Sequence, residues 1–190
     1  RNNALTLRWN HVLDEKLFSN TTLYASSYDY ALFRDVNAEW NSRIDNLTLK
    51  SDFSWFINPD NTVYMGIRFA GHNINPGNYL VDGNLVPGAP YVSPKHAREW
   101  SLYAENDHRI GSRLNLRYGL RLSVWENTGE SFEIIYDENR TPVDSTHYAP
   151  GEPYHQFINL EPRLSLNYLL SDGLALKLSW TRTSQYLQMI

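Results

Sequence analysis

The 190-residue sequence has no cysteine, two methionines, and no apolar run approaching the roughly 20 residues of a membrane helix. Without cysteine there are no disulfides, thiolate metal sites or cysteine nucleophiles, and the composition fits the cytosol, the periplasm or an outer membrane. A mean hydropathy of −0.51 excludes a helical membrane protein. It does not exclude a transmembrane barrel, whose strands show only alternate residues to lipid. A basic excess is also missing: the net charge is −4 and the pI about 5.8, so nucleic acid is not an expected partner. No phosphate-binding glycine loop, G-x-S-x-G elbow or H-E-x-x-H pair occurs, so neither a cofactor nor catalysis is expected.

What is abundant is aromatic residues, with thirteen Tyr and six Trp, and alternation of period two. In "RLNLRYGLRLSVW", residues 113–125, Leu114, Leu116, Tyr118, Leu120, Leu122 and Val124 form one row, and Arg113, Asn115, Arg117, Gly119, Arg121 and Ser123 the other. Such alternation predicts a strand with two unlike faces. It recurs to give about eight strands, near 3–12, 17–30, 40–56, 62–72, 98–107, 113–125, 156–169 and, after "SDG", from Leu174 to Trp180. No segment reads as a helix. Tight turns at 13–16, 57–61, 107–112 and 170–173 alternate with longer connections at 31–39, 73–97 and 126–155. In an up-and-down meander this puts the short connections at one end and the long ones at the other. The segment 73–97 carries four Pro and four Asn, and 126–155 is acidic and rich in Tyr and Pro.

Other constellations are weaker. His147 and His155 match no zinc spacing. "DENRTPVD" at 137–144 lacks the central Gly and final Glu of an EF-hand loop. Glu99 and Glu105 share a strand face, but no sequence feature places them in a cleft with shifted pKa values. A soluble antiparallel sandwich would also alternate, although its strands are usually about 5–6 residues long.

The stretches "LTLRWNHVLDEKLFSNTTLYASSYDY" (5–30), "EWSLYAENDHRIGSRLNLRYGLRLSVW" (99–125) and "NLEPRLSLNYLLSDGLALKLSWTRTSQYLQMI" (159–190) resemble the barrel of TonB-dependent outer-membrane receptors. The hairpin carrying "EPRLSLNY", followed by Arg182 and "SQYLQ", is the most specific part, and Gly119–Leu120–Arg121 is similar to the family's "GLR" strand.

The resemblance implies an all-β chain, part of a 22-stranded transmembrane barrel in the Gram-negative outer membrane, with residues 1–190 an internal fragment lacking the plug domain. It further implies a plug domain and the TonB complex as partners and a scarce nutrient, such as a metal chelate, cobalamin or glycan, as substrate. A surface lipoprotein is a further candidate partner. On this reading Leu114, Leu116, Leu120, Leu122, Leu164, Leu166, Leu176 and Leu178 face lipid, and Arg113, Arg117, Arg121, Arg163 and Lys177 face the lumen. The segments 73–97 and 126–155 are extracellular, with Tyr79, Tyr91, Tyr136, Tyr148 and Tyr154 as candidate ligand contacts. An arginine at Ser123, on the lumen side, should then be tolerated. Alternatives are a self-contained eight-stranded outer-membrane barrel or a soluble carbohydrate-binding β-domain.

Overall fold

The computed structural model describes residues 1–35, 37–86 and 93–186. Its strands are β1 (Asn2–Asp14), β2 (Leu17–Asp35), β3 (Ala38–Asn58), β4 (Asn61–Val81), β5 (Asn84–Leu85), β6 (Lys95–Ile110), β7 (Leu114–Thr128), β8 (Ser131–Tyr136), β9 (Pro142–Tyr148), β10 (Pro153–Ser171) and β11 (Leu174–Thr181). Eight of them form one antiparallel sheet in the order β1-β2-β3-β4-β6-β7-β10-β11. The two-residue β5 pairs with β4, and β8 with β9 makes a separate hairpin.

The eight-strand meander agrees with the sequence reading, but the strands run further. β2 continues to Asp35 and β3 begins at Ala38, so 31–39 is mostly strand and not a long connection. β4 takes in residues 73–81 of the segment read as a loop from 73 to 97, and β6 begins at Lys95. Within 126–155, β7 extends to Thr128, β10 starts at Pro153, and β8 and β9 occupy most of the interval. The period is illegible around Asn75–Gly77 because a register shift falls between Asn41 and Arg43 of the paired strand, opposite Pro76. Proline donates no hydrogen bond to a ladder. Its carbonyl instead accepts from Trp40 Nε1 (3.1 Å) and Ser42 Oγ (2.7 Å). Gly77 follows at φ 136°, where a Cβ would lie 1.9 Å from Trp40 Nε1.

Residues directly opposite across an antiparallel ladder share a face, so the register defines rows. One row is Leu7–Leu23–Leu49–Phe69–Trp100–Val124–Ile158, apolar across seven strands. A lower row on that face is Leu17–Trp55–Val63–Asn106–Tyr118–Leu164–Trp180. Thr21 and Ser51, polar residues on the apolar face, satisfy each other through a 2.7 Å hydroxyl hydrogen bond. The apolar character ends at Asn3–Ser27–Asp45–Asn73–His96–Thr128.

The opposite face is polar and more enclosed. Ser123 (1% exposed), Ser101, Glu161 and Trp125 are all buried there, while Leu7, Leu102, Leu160 and Ile158 are exposed on the apolar face. The molecule thus turns its hydrophobic side outward, the reverse of a soluble sandwich.

Candidate functional site on the polar wall

Alternation delivers charged side chains to one face, and the register decides which of them meet. Across the middle runs Asn10–Asn20–Asp52–Gly66–Tyr103–Arg121–Glu161, and next to it Arg8–Thr22–Lys50–Arg68–Ser101–Ser123–Asn159. Arg68 pairs with Glu99 at 2.7 Å, Arg121 with Glu99 at 3.3 Å and with Glu161 at 3.9 Å. Ser123 Oγ donates to Glu161 at 2.8 Å. A buried carboxylate without partners would be costly. Here two anions alternate with two cations, so this ladder is neutral. Beside it the Tyr103 hydroxyl reaches over Gly66 to donate to Asp52 at 2.5 Å, and Lys50 holds the same carboxylate at 2.8 Å.

Above the ladder lies an aromatic belt. Trp125 stacks between His72 (5.4 Å) and Tyr186 (5.5 Å). Residues 182–186 leave β11 and cross the polar face: the Arg182 N–H donates to the Pro162 carbonyl, and the Ser184 N–H to Glu161. The Tyr186 hydroxyl accepts from Asn159 Nδ2 at 2.7 Å and shares a hydrogen bond with Ser123 Oγ at 2.9 Å.

Two hollows flank the belt. One, of about 650 Å³, is lined by Ile74, Lys95, Trp125, Asn127, Phe157 and Tyr186. The other, of about 710 Å³, lies between β2, β3 and β4 and includes Tyr24, Tyr28, Tyr30, Asn46, Arg68 and His72 in its walls.

Beyond the sheet, the β8–β9 hairpin carries a third group. Glu133 accepts from the Tyr148 hydroxyl (3.0 Å) and contacts His155 Nε2 (2.6 Å). The Tyr148 ring packs on Tyr154 at 5.2 Å. Donation to the Glu133 carboxylate, which disfavours a second negative charge, raises the Tyr148 hydroxyl above the usual tyrosine pKa.

The sequence matches the family model of TonB dependent receptor-like β-barrels over residues 1–185. The chain belongs to the TonB-dependent receptors. These are proteins of the Gram-negative outer membrane. No curated protein sequence matches the chain. Among solved structures, the receptor chain is similar in fold to the ferric citrate transporter FecA in its unliganded form, with a TM-score of 0.54 and 14% identity. The similarity covers 90% of this chain and 25% of that one, so the receptor segment spans about a quarter of the FecA chain.

Within the receptor, Leu114, Leu116, Leu120, Leu122, Leu164, Leu166, Leu176 and Leu178 fall together on the apolar face. Arg117, Arg121, Arg163 and Lys177 fall on the polar face. Arg117 pairs with Glu105 and lies 5.4 Å over the Tyr64 ring. Arg113 does not join that row: it sits in the turn before β7, which starts at Leu114.

Of the candidate tyrosines, Tyr148 and Tyr154 are brought together. Tyr136 is exposed at the end of β8, and Tyr79 is in β4 opposite Trp40, not in a loop. Tyr91 lies outside the described residues. His147 and His155 form no metal cluster, no group of three candidate ligands existing among the described residues. The segment 137–144 closes a turn, with Asp137 Oδ1 accepting from the Asn139 and Thr141 N–H groups.

Sequence reasoning missed Arg68, His72, Trp125 and Tyr186, and did not single out the β2 tyrosines as a group. Parity held part of the signal: Trp125 and Tyr24 occupy positions that alternate with the apolar row.

Proposed function

We propose that this chain is part of the wall of an active transporter in the outer membrane, with the apolar face toward lipid and the polar face toward the lumen. The observation that carries this reading is the apolar row unbroken across seven strands, set against an enclosed, ion-paired opposite face. The ten residue steps from Leu114 to Val124, at ~3.4 Å each and tilted by about 45°, give roughly 24 Å, the height of the lipid-facing band of such barrels.

On this reading Arg117, Arg121, Arg163 and Lys177 line the lumen beside a plug domain, and the TonB complex supplies the energy for uptake of a scarce nutrient. The hairpin and the connection after β4 are extracellular. Tyr148 and Tyr154, already packed together at 5.2 Å, are the first aromatic contacts for substrate, and a surface lipoprotein is a candidate partner at this mouth. No catalysis is assigned to the wall, because Glu99 and Glu105 are each committed to arginine.

The test compares Leu120→Arg with Asn115→Arg on the same strand. A cation at mid-bilayer costs about 2–4 kcal/mol, so the first should abolish heat-resistant barrel in outer-membrane fractions while the second assembles. Equal assembly of both would refute the assignment of faces.

A further inference from the structure

Four successive rows on the polar face, Tyr30–Ser42, Tyr28–Ile44–Ile74, Ser26–Asn46–His72 and Tyr24–Thr48, build the hollow between β2 and β4. Ser26 is small, so the floor is low between Tyr24 and Tyr28. The three tyrosines of β2 span six residue steps, roughly 20 Å of strand. Each is more than a third exposed, and none of their hydroxyls has a hydrogen-bond partner among the described residues.

Around them are groups that donate and accept without carrying charge. Asn46 joins Ser26 Oγ (3.4 Å) to His72 Nδ1 (2.7 Å), and His72 Nε2 is buried with no partner among the described residues. The cation that reaches the hollow from this face is already committed, Arg68 to Glu99 at 2.7 Å, and Arg43 is held at 2.9 Å by Asp45 and at 3.6 Å by Asp29, residues of the opposite face. An anionic chelate would have to break the Arg68–Glu99 pair to gain a counter-charge.

We propose that this hollow is a binding subsite for a neutral, hydroxyl-rich solute of the oligosaccharide class. Tyrosine rings cover the apolar C–H faces of sugars while their hydroxyls, with Asn46 and Ser26, meet the sugar hydroxyls. Its volume of about 710 Å³ suits a ligand of several rings, since ligand pockets run to roughly 300–1,000 Å³. The assignment rests on the reading of this face as the lumen of a transporter.

The experiment uses the full-length receptor. Calorimetric titration with neutral malto-, xylo-, manno- and fructo-oligosaccharides is compared with ferric citrate and oligogalacturonate, alongside uptake of the same solutes in TonB-competent and TonB-inactive cells. At least one neutral oligosaccharide should bind, and Tyr28→Ala with Tyr30→Ala should weaken it at least about tenfold. Ser26→Trp, which fills the hollow without removing a tyrosine, should do the same if the double variant fails to assemble. Binding confined to the anionic probes, or neutral binding that is indifferent to these substitutions, overturns the subsite. TonB-dependent uptake persisting in that case leaves the transport reading standing. Loss of the subsite together with no TonB-dependent uptake of any solute removes both.

Discussion

Gly66 lies where the Tyr103 ring crosses from β6 to Asp52 on β3. A Cβ there would fall 2.7 Å from Tyr103 Cε1 and 2.8 Å from the Ser51 carbonyl. One of these neighbours is backbone and cannot yield, so Gly66→Ala should destabilise the barrel by about 1–3 kcal/mol, the usual cost of overpacking. Urea dependence of the heat-resistant form of the purified receptor reads this directly. Tyr103→Phe should cost about 1 kcal/mol through the lost hydrogen bond to Asp52. Ser123 shows where parity alone misleads. Alternation places it on the polar side, where an arginine looks harmless, but its hydroxyl sits between Glu161 and Tyr186 and only 1% of the residue is exposed. Ser123→Arg should therefore fail to assemble, whereas Asn115→Arg, on the same face but exposed, should not.

At the scale of elements, the strands of the β8–β9 hairpin pair only with each other among the described residues. The wall passes from β7 directly to β10 through fifteen paired positions, and those backbone bonds do not involve the hairpin. Replacing residues 131–148 with a short Gly-Ser link should leave barrel assembly and heat resistance intact while reducing substrate capture, measured as affinity in whole cells.

The Tyr148 contact gives the hairpin a defined pH response. Because the pKa is raised in the folded state, the hydrogen bond to Glu133 persists through the ordinary tyrosine titration and is lost only as pH climbs through the raised value. The difference in phenolate absorbance between the native receptor and Tyr148→Phe should show its missing component titrating later than exposed tyrosine. The sequence revealed β7 and β10 well because Leu and Val alternate with polar residues along their apolar bands. It hid the upper parts of β2, β3 and β4, where both faces are polar or aromatic and Pro76 interrupts the period. Hydrophobic alternation reports a strand only where its two faces meet different surroundings.

At the scale of the molecule, the sheet has two free edges, β1 and β11, among the described residues. Unpaired edges are pairing templates, and in lipid every backbone group must find a partner within the wall. Residues 1–190 expressed alone should therefore self-associate in detergent, giving by light scattering a mass well above the 22.1 kDa of one chain. A monodisperse monomer would mean that the edges are covered some other way. The boundary of the apolar band follows from the same geometry. In the row Leu5–Ala25–Leu47–Gly71–Arg98–Glu126–Gln156, the first strands are apolar and the last three carry an ion pair at 3.4 Å and an amide. Tilted strands cross a flat membrane obliquely, so one row leaves the lipid part-way along.

The sequence by itself determined the all-β meander, the two unlike faces and the side on which each leucine and arginine of β7 lies, because these depend only on a period of two and on local turn chemistry. The tertiary structure alone decided which polar residues meet. Glu161 is 38 residues from Ser123 and 40 from Arg121, and His72 is 53 from Trp125. Those contacts are set by the register between strands distant in the chain. Register is a property of the whole sheet, fixed by turns and bulges that no single strand's pattern records.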